Sequence, residues 1–398
     1  MTLRTRRRFL AGAGAGLGVA AAGGFVPTRF AIGQKAKLKI GLMLPYTGTY
    51  AALGHNITDA MKMRLAEAGN KLGGREYDIV QLDDESAPPK GKDNAARLLV
   101  REKCDMLIGT VHSGVVLAMA QVAKEEDKFL VIPNAGAVDL TRKGCTPKLF
   151  RTSFSNWQPA FPCGDVALKD GAKTAVLMTW NYPAGHDSLQ GFKDSFTKGG
   201  GKILKEILID FPNVEFQAGL TEIASLKPDC VYVFFAGAGA LKFMKDYEAA
   251  GLKAKISLYG PGFLTDGVYR EAGSAASGIK TTLHYADDLD NPMNRKFRAD
   301  FKKQTNRDCD VYAVQGYDTG TFLVQGLQAV QGDLGADKAL VKAWEASKID
   351  SPRGMFTLSK SHDPVQDIYL RQVWGGEEKY LGVAHKALAD PGTGCTMA

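Results

Sequence analysis

Most of the signals that mark an enzyme or a metalloprotein are missing from this sequence. It contains no P-loop, and Gly237-Ala238-Gly239 lacks the third glycine of a dinucleotide-binding fingerprint. The cysteines show no C-x-x-C or Cys/His spacing that is typical of a metal site. We therefore expect neither a cofactor nor a metal ion.

Basic charge is also scarce beyond the first residues. The formal net charge of +7 includes five arginines within residues 1–33, a segment without any acidic residue, so the remainder carries +2. No run of Lys or Arg occurs later in the chain. This balance excludes the charge excess typical of nucleic-acid-binding proteins.

The basic N-terminus has the pattern of an export signal. Thr5-Arg6-Arg7-Arg8-Phe9-Leu10 precedes the Gly/Ala-rich stretch from Gly12 to Gly24, and Ala31-Ile32-Gly33 is a plausible cleavage site. The paired arginines resemble the twin-arginine type. We therefore predict a twin-arginine-type signal peptide over residues 1–33, removed on export to the periplasm. The alternatives are a disordered basic N-terminus and an uncleaved anchor.

The six cysteines that follow allow 15 pairings, and an oxidising destination permits disulfides. Cys104 and Cys230 begin apolar runs and are expected as buried thiols. Cys145, Cys163 and Cys395 lie in polar or loop-like contexts and are the candidates for a bridge.

Short apolar runs alternate with amphipathic stretches in two successive series. The predicted strands are Leu38 to Leu44, Tyr77 to Leu82, Met106 to Gly109 and Phe129 to Ile132, then Thr174 to Met178, Lys202 to Leu208, Cys230 to Phe235 and Ile256 to Tyr259. Helical stretches lie between the strands, and such alternation predicts parallel sheets covered by helices on both faces. We predict an α/β fold with two doubly wound parallel-sheet lobes.

The chain is too long for one core, because about 365 residues remain after the leader. No low-complexity linker separates the two series, which favours lobes joined by several short crossovers. We predict an N-terminal lobe of residues 36–153 plus 286–352, a C-terminal lobe of residues 154–285 plus 353–390, and a tail of residues 391–398.

Short motifs follow the predicted strands in a fixed order. They are Gly41 to Gly48 with Ala51 to Gly54, Leu82-Asp83-Asp84, Ile108-Gly109 with Ser113, Ile132 to Gly136, Phe150-Arg151-Thr152 and Asn181 to Gly185. From about Lys37 to Val373 the ordered set resembles the type I periplasmic solute-binding proteins of the leucine/isoleucine/valine-binding family. The resemblance implies the fold of that family and the role of a receptor that delivers a small molecule to ABC permease subunits in the inner membrane. We expect a monomer.

A second resemblance concerns the guest. His362 to Tyr369, read as His-Asp-Pro-Val-Gln-Asp-Ile-Tyr, is similar to a subset of the family associated with aromatic carboxylates. By resemblance, Ser113, Asn134, Ala135 and Gly136 grip the carboxylate of the guest. Free amides at a helix start suit an anion, and small residues allow close approach. Ser113 can equally be a plain helix cap.

The sequence departs from amino-acid-binding members in the loop Tyr259-Gly260-Pro261-Gly262-Phe263. There Gly262 occupies the place of the acidic residue that pairs with an α-ammonium group, and an unpaired buried ammonium is costly. Asp187 or Asp266 is the alternative source of that negative charge. On this argument, a Gly262→Glu variant should fold normally and favour amino acids as guests.

Further candidate ligand-binding residues are mostly aromatic. Rings in the predicted cleft loops could stack on an aromatic guest, or could pack in the core. A donor imidazole at His112 would suit an anion or a phenol. The remaining candidates are Tyr46, Tyr50, His112, Trp157, Tyr182, Gly237 and Phe263.

We therefore predict a periplasmic receptor for a small carboxylate, most specifically an aromatic acid. The alternatives are a receptor for branched-chain or other amino acids, an exported ligand sensor, and a hydrolase. The hydrolase hypothesis is disfavoured because Val111-His112-Ser113-Gly114 is not G-x-S-x-G, and residues adjacent in sequence do not form a catalytic pair.

Overall fold

The computed structural model describes residues 36–397. The predicted signal peptide, residues 1–33, lies outside this range. Within residues 36–397, no helix has both the length and the apolar character needed to cross a membrane.

The first half of the chain forms a five-stranded parallel sheet in the order β2-β1-β3-β4-β5. Its inner strands β1, β3 and β4 read as near-continuous apolar runs because helices cover both faces. The elements are β1 (Leu38–Leu44), α1 (Ala51–Glu67), β2 (Tyr77–Asp83), α2 (Pro88–Ala96), β3 (Met106–Gly109), α3 (Ser113–Glu125), β4 (Phe129–Ile132) and β5 (Leu149–Arg151).

The second sheet begins after a crossover from β5. Five strands run parallel in the order β10-β9-β8-β6-β7. The elements are α4 (Trp157–Lys169), β6 (Thr174–Trp180), α5 (Pro183–Lys198), β7 (Lys202–Ile209), α6 (Gln217–Leu226), β8 (Cys230–Phe234), α7 (Gly237–Ala249), β9 (Ser257–Pro261), α8 (Tyr269–Ala272) and β10 (Lys280–Leu283).

The chain then returns to the first sheet, where α10 packs along α1, before strands β11 to β14 extend the second sheet in antiparallel fashion. These last elements are α9 (Pro292–Thr305), α10 (Val311–Ala329), α11 (Asp337–Glu345), β11 (Lys348–Ile349), β12 (Phe356–Leu358), β13 (Pro364–Trp374) and β14 (Glu377–Leu388). The predicted α/β architecture with several crossovers is confirmed. The lobe boundaries stay a prediction.

Buried arginines hold the segments that pass between the sheets. The Arg151 guanidinium forms an ion pair with Asp363 at 2.6 Å, and that of Arg353 forms one with Asp318 at 2.8 Å. Arg353 also donates to the carbonyl oxygens of Thr152 and Ser153 in the first crossover. Each buried charge therefore has a partner, which burial requires.

A disulfide joins Cys145, in the loop before β5, to Cys395 in the tail. Of the three cysteines predicted as candidates for a bridge, Cys163 forms none, because it is a buried free thiol. The prediction for Cys163 is therefore wrong. The expectation of buried thiols at Cys104 and Cys230 is confirmed. An ion pair between Arg142 and Asp390 at 2.8 Å lies on the same path from β14 back to the first half of the chain.

Replacing both Cys145 and Cys395 by Ser should lower the free energy of unfolding by about 2–4 kcal/mol, because the unfolded chain then loses a long closed loop. Denaturant unfolding of the oxidised protein measures this. Reducing agent should bring the wild type down to the level of the double variant and leave the variant unchanged. Equal stability of oxidised wild type and variant would contradict the prediction.

Candidate ligand-binding site

A narrow cavity lies between the two sheets. Loops at the carboxyl ends of parallel strands surround it, which is where open α/β sheets place ligands. It is lined by Tyr50, Leu53, Val111, Ser113, Asn134, Gly136, Phe154, Asn156, Tyr182, Ala184, Phe234, Ala236, Phe263 and Tyr312. None of these side chains is charged.

Half of the residues predicted from the sequence line this cavity. They are Tyr50, Ser113, Asn134, Gly136, Tyr182 and Phe263. The others do not line it: Tyr46, His112, Ala135, Trp157, Gly237 and Gly262. The assignment of any of them to ligand contact stays a prediction.

Two predicted aromatic residues have other partners. The Tyr46 hydroxyl lies 2.8 Å from the Thr58 hydroxyl. The Trp157 indole donates to Asp194 at 2.8 Å and its ring stacks on Phe161 with centroids 4.4 Å apart. Both rings therefore pack beside the cavity loops rather than inside the cavity.

Gly237 is needed for a close approach between the two halves of the chain. A Cβ atom here would lie 2.7 Å from the carbonyl oxygen of Thr49, and the residue has a φ of +57°. Its role is therefore to let the start of α7 contact the loop after β1.

Gly262 has no room for a side chain. A Cβ atom at this position would lie 2.3 Å from Nη2 of Arg371 and 2.6 Å from Cβ of Leu283. The Arg371 guanidinium is fixed, since it donates to the Gly262 carbonyl oxygen and pairs with Asp266 and Glu378. The expectation that a Gly262→Glu variant would fold normally is therefore wrong.

Neither carboxylate that could replace the missing acid reaches the cavity. Asp266 pairs with Arg371 at 2.7 Å and accepts from the Val311 amide at 2.8 Å. Asp187 accepts from the Asn156 side chain and the Val138 amide, and burial raises the pKa of its carboxyl. The lining thus offers no negative side chain to an ammonium group.

His112 caps helix α3 and is not a donor to the cavity through Nδ1. Its Nδ1 atom accepts from the backbone amides of Gly114 at 3.1 Å and Val115 at 3.3 Å. Burial lowers the pKa of His112 to about 4, so the ring is neutral at pH 7. A donor imidazole at His112 could therefore act only through Nε2, and the ring stacks on Tyr182 with centroids 4.6 Å apart.

Hydrogen-bond donors without a partner lie where the first sheet borders the cavity. Among residues 36–397, no partner occurs for the backbone N–H of Ser113, Asn134 or Gly136. Ser113 Oγ accepts from the Asn156 amide at 3.2 Å, which leaves its own hydrogen free to donate. The positive end of the α3 dipole adds to these donors, so this edge of the cavity suits an anion.

Ala135 shapes this edge without lining it. Its N–H donates to the Thr110 carbonyl oxygen at 2.9 Å. Its own carbonyl oxygen and that of Ala137 accept from Arg151 at 3.2 and 2.9 Å. These bonds therefore fix the loop after β4, and they leave the backbone amides of Asn134 and Gly136 unpaired.

Sequence reasoning missed most of the apolar lining. Phe154 and Asn156 come three and five residues after Arg151, just beyond the crossover motif, so their position could have been found. Tyr312 begins a helix far along the chain and gave no local signal. The residues that were missed are Leu53, Val111, Phe154, Asn156, Ala184, Phe234, Ala236 and Tyr312.

Comparisons with known proteins agree with this geometry. A family model described as periplasmic binding protein matches residues 37–377. A relative from Brucella melitensis, the Leu/Ile/Val-binding protein homolog 6, is 32% identical over 343 residues, covering 84% of this chain and 87% of the relative.

Two solved structures also resemble this chain. A solute-binding protein of an ABC transporter from R. palustris, in complex with benzoate, is 52% identical with a TM-score of 0.88, covering 91% of this chain and 100% of that chain. One from Rhodopseudomonas palustris BisB5, in complex with 3,4-dihydroxy benzoic acid, is 31% identical with a TM-score of 0.84, covering 89% and 99%.

His112→Asn should remove a pH dependence of stability, because Asn also caps helices but does not titrate. The unfolded chain binds a proton at His112 near pH 6.5, whereas the folded protein does so only near pH 4. Lowering the pH from 7 to 5 should therefore destabilise the wild type by roughly 2 kcal/mol relative to the variant. Denaturant unfolding across this range measures it, and a difference that stays constant with pH would refute the neutral cap.

Proposed function

The chain belongs to the periplasmic binding protein family, and from that premise we propose that it is the solute-binding receptor of an ABC importer for a small aromatic carboxylate. The observation that carries this proposal is a cavity with aromatic walls, unpaired backbone amides along one edge and no charged side chain in its lining.

The unpaired hydrogen-bond donors would bind the carboxylate of the ligand. The N–H and hydroxyl groups of Ser113 and the amides of Asn134 and Gly136 belong to neighbouring loops, because β3 and β4 are adjacent strands. Hydrogen bonds to a charged group are stronger than neutral ones. A carboxylate at this edge would therefore be held without a counter-ion.

The aromatic lining supports a flat apolar body for the guest. Phe154 and Phe263 contact each other with centroids 4.7 Å apart, and Phe263 also lies near Phe234. Offset or edge-on packing of a ring against such a cluster is favourable. The 52% identical R. palustris protein in complex with benzoate supports the same class of guest.

An amino acid is the second candidate, because curated relatives carry the name Leu/Ile/Val-binding protein. Its ammonium group would enter a cavity whose lining has no carboxylate. Burial of an unpaired charge is costly, and both nearby acids, Asp187 and Asp266, are occupied by other partners. The geometry therefore favours the simple acid.

The cellular setting follows from the family and from the N-terminus. We propose that residues 1–33 direct export through the twin-arginine route and are then removed. We further propose that the receptor releases its guest to permease subunits of the inner membrane. The hydroxyls of Tyr50 and Tyr182, which lie 2.9 Å apart, connect loops of the two sheets.

Calorimetric titration with benzoate, an aliphatic acid of similar size, leucine and valine tests the proposed guest. We expect benzoate to bind at least tenfold more tightly than leucine or valine, which corresponds to about 1.4 kcal/mol. A thermal shift in excess ligand should show the same order, because binding to the folded state stabilises it. Tight binding of leucine, with none of benzoate, would overturn the proposal.

Ser113→Ala should weaken binding of benzoate by tenfold or more, because one hydrogen bond to a charged group contributes about 1.5–3 kcal/mol. Ser257→Ala, at an exposed serine that does not line the cavity, is the matched control and should leave affinity unchanged. Unchanged affinity in both variants would remove Ser113 from the site.

A further inference from the structure

His284 is a buried histidine beside the cavity, and one of its ring nitrogens has no partner. It directly follows β10 and is 1% exposed. Its ring centroid lies 5.4 Å from that of Phe154 and 6.4 Å from that of Phe263, and both phenylalanines line the cavity. The Nδ1 atom has no hydrogen-bond partner among residues 36–397. Buried polar groups in folded proteins are almost always paired, so this ring is unusual.

Two hydrogen bonds connect His284 to the edge of the cavity that suits an anion. Its Nε2 atom lies 3.1 Å from Nε2 of Gln315, a buried side chain of α10. Gln315 Oε1 accepts from Asn134 Nδ2 at 2.6 Å. Asn134 lines the cavity, and its backbone N–H and its Oδ1 atom have no partner among the described residues. His284 does not line the cavity, so its polar connection to a ligand runs through Gln315 and Asn134.

The position of the imidazole hydrogen decides the direction of these two bonds. Burial, together with the nearby Arg353 and Arg371, holds the pKa of His284 well below its usual range, so the neutral ring carries one N–H at pH 7. An amide nitrogen can only donate, so Gln315 Nε2 donates to His284 Nε2 in the structure. The imidazole hydrogen is then on Nδ1, the atom without a partner. Buried N–H groups without an acceptor are rarer than unpaired acceptors.

The same three side chains can be bonded in the opposite direction, because the two ends of an Asn or Gln amide have nearly the same shape. His284 Nε2–H then donates to Gln315 Oε1, and Gln315 Nε2 donates to Asn134 Oδ1. The imidazole loses the proton on Nδ1 and takes one up on Nε2 by exchange with water, so its charge does not change. This direction leaves no imidazole N–H unpaired, and it makes Nδ2 of Asn134, rather than Oδ1, available to a ligand.

A bound carboxylate favours the second direction. Under the proposed function it accepts from the backbone N–H of Asn134, and the side-chain amide of the same residue is only a few bonds away. A carboxylate offers acceptors only, so it is repelled by Oδ1 and forms a charge-assisted hydrogen bond with Nδ2–H. A neutral carboxamide carries both a donor and an acceptor and has no such preference.

We propose that His284 is a positioning residue of this site: in the carboxylate complex, its Nε2–H holds Gln315 so that Asn134 Nδ2–H donates to the ligand. The inference rests on the proposed function and adds a residue that sets its selectivity. The tautomer of His284 decides whether Asn134 accepts from the ligand or donates to it. The site therefore discriminates a carboxylate from the amide of the same acid through a residue that does not line the cavity.

Nuclear magnetic resonance of the imidazole nitrogens tests the tautomer directly. Wild-type protein, isotope-labelled at histidine and saturated with benzoate at pH 7, should show His284 with its hydrogen on Nε2 and none on Nδ1. The signals are assigned through the bonds that join the ring to the backbone. A hydrogen on Nδ1 in the benzoate complex would overturn the inference and leave the proposed function intact, whereas failure of benzoate to bind would overturn both.

Calorimetry with benzoate and benzamide tests the positioning role. His284→Phe keeps a ring beside Phe154 and Phe263 but removes the donor to Gln315. The affinity for benzoate should therefore fall about tenfold, and the affinity for benzamide should change less than about twofold. His385→Phe, on β14 and outside the cavity lining, should leave both affinities unchanged.

The ratio of the two affinities separates positioning from packing. A packing role for His284 predicts equal weakening of benzoate and benzamide, and that result would overturn the inference, as would an unchanged affinity for benzoate. Gln315→Met breaks the same pair of hydrogen bonds and should lower the affinity for benzoate selectively as well, so it replaces His284→Phe if that variant does not fold. The resonance measurement needs only the wild type.

Discussion

The loops around the cavity depend on guanidinium groups that lie behind them. Arg151 holds the loop after β4 through two carbonyl oxygens, Arg371 holds the loop after β9 through the Gly262 carbonyl oxygen, and Arg353 holds the first crossover. Each cation is paired with a buried carboxylate, and removal of one member of such a pair is strongly destabilising. Rigid backbone at these points keeps the open amides aimed at the cavity.

These ion pairs keep the buried charges of the protein out of the ligand-binding cavity. Asp266, Asp363 and Glu378 all lie close to the cavity loops, yet each is directed at an arginine. The cavity itself is lined by neutral groups only. A negatively charged ligand therefore finds hydrogen-bond donors without competing carboxylates. A positively charged ligand finds no carboxylate with which to pair. The site therefore favours anions over cations because these carboxylates are already paired with arginines.

The sequence allowed the architecture to be predicted because apolar periodicity is local. The runs at β1, β3 and β4 were placed at their observed bounds, and residues that directly follow such strands, such as Ser113 and Asn134, could be assigned to one edge. Features that depend on distant packing could not be predicted. The absence of space at Gly262, for example, arises from Arg371, more than 100 residues later. Tyr312 reaches the cavity only through the packing of α10 along α1.

The bond between Cys145 and Cys395 encloses a ring of chain with a sequence separation of 250 residues. One end lies in the loop before β5, in the first sheet, and the other follows β14, the last strand of the second. The bond therefore adds a covalent connection between the two halves of the molecule to those made by the crossovers. While it is oxidised, the tail that follows the second sheet stays attached to the first.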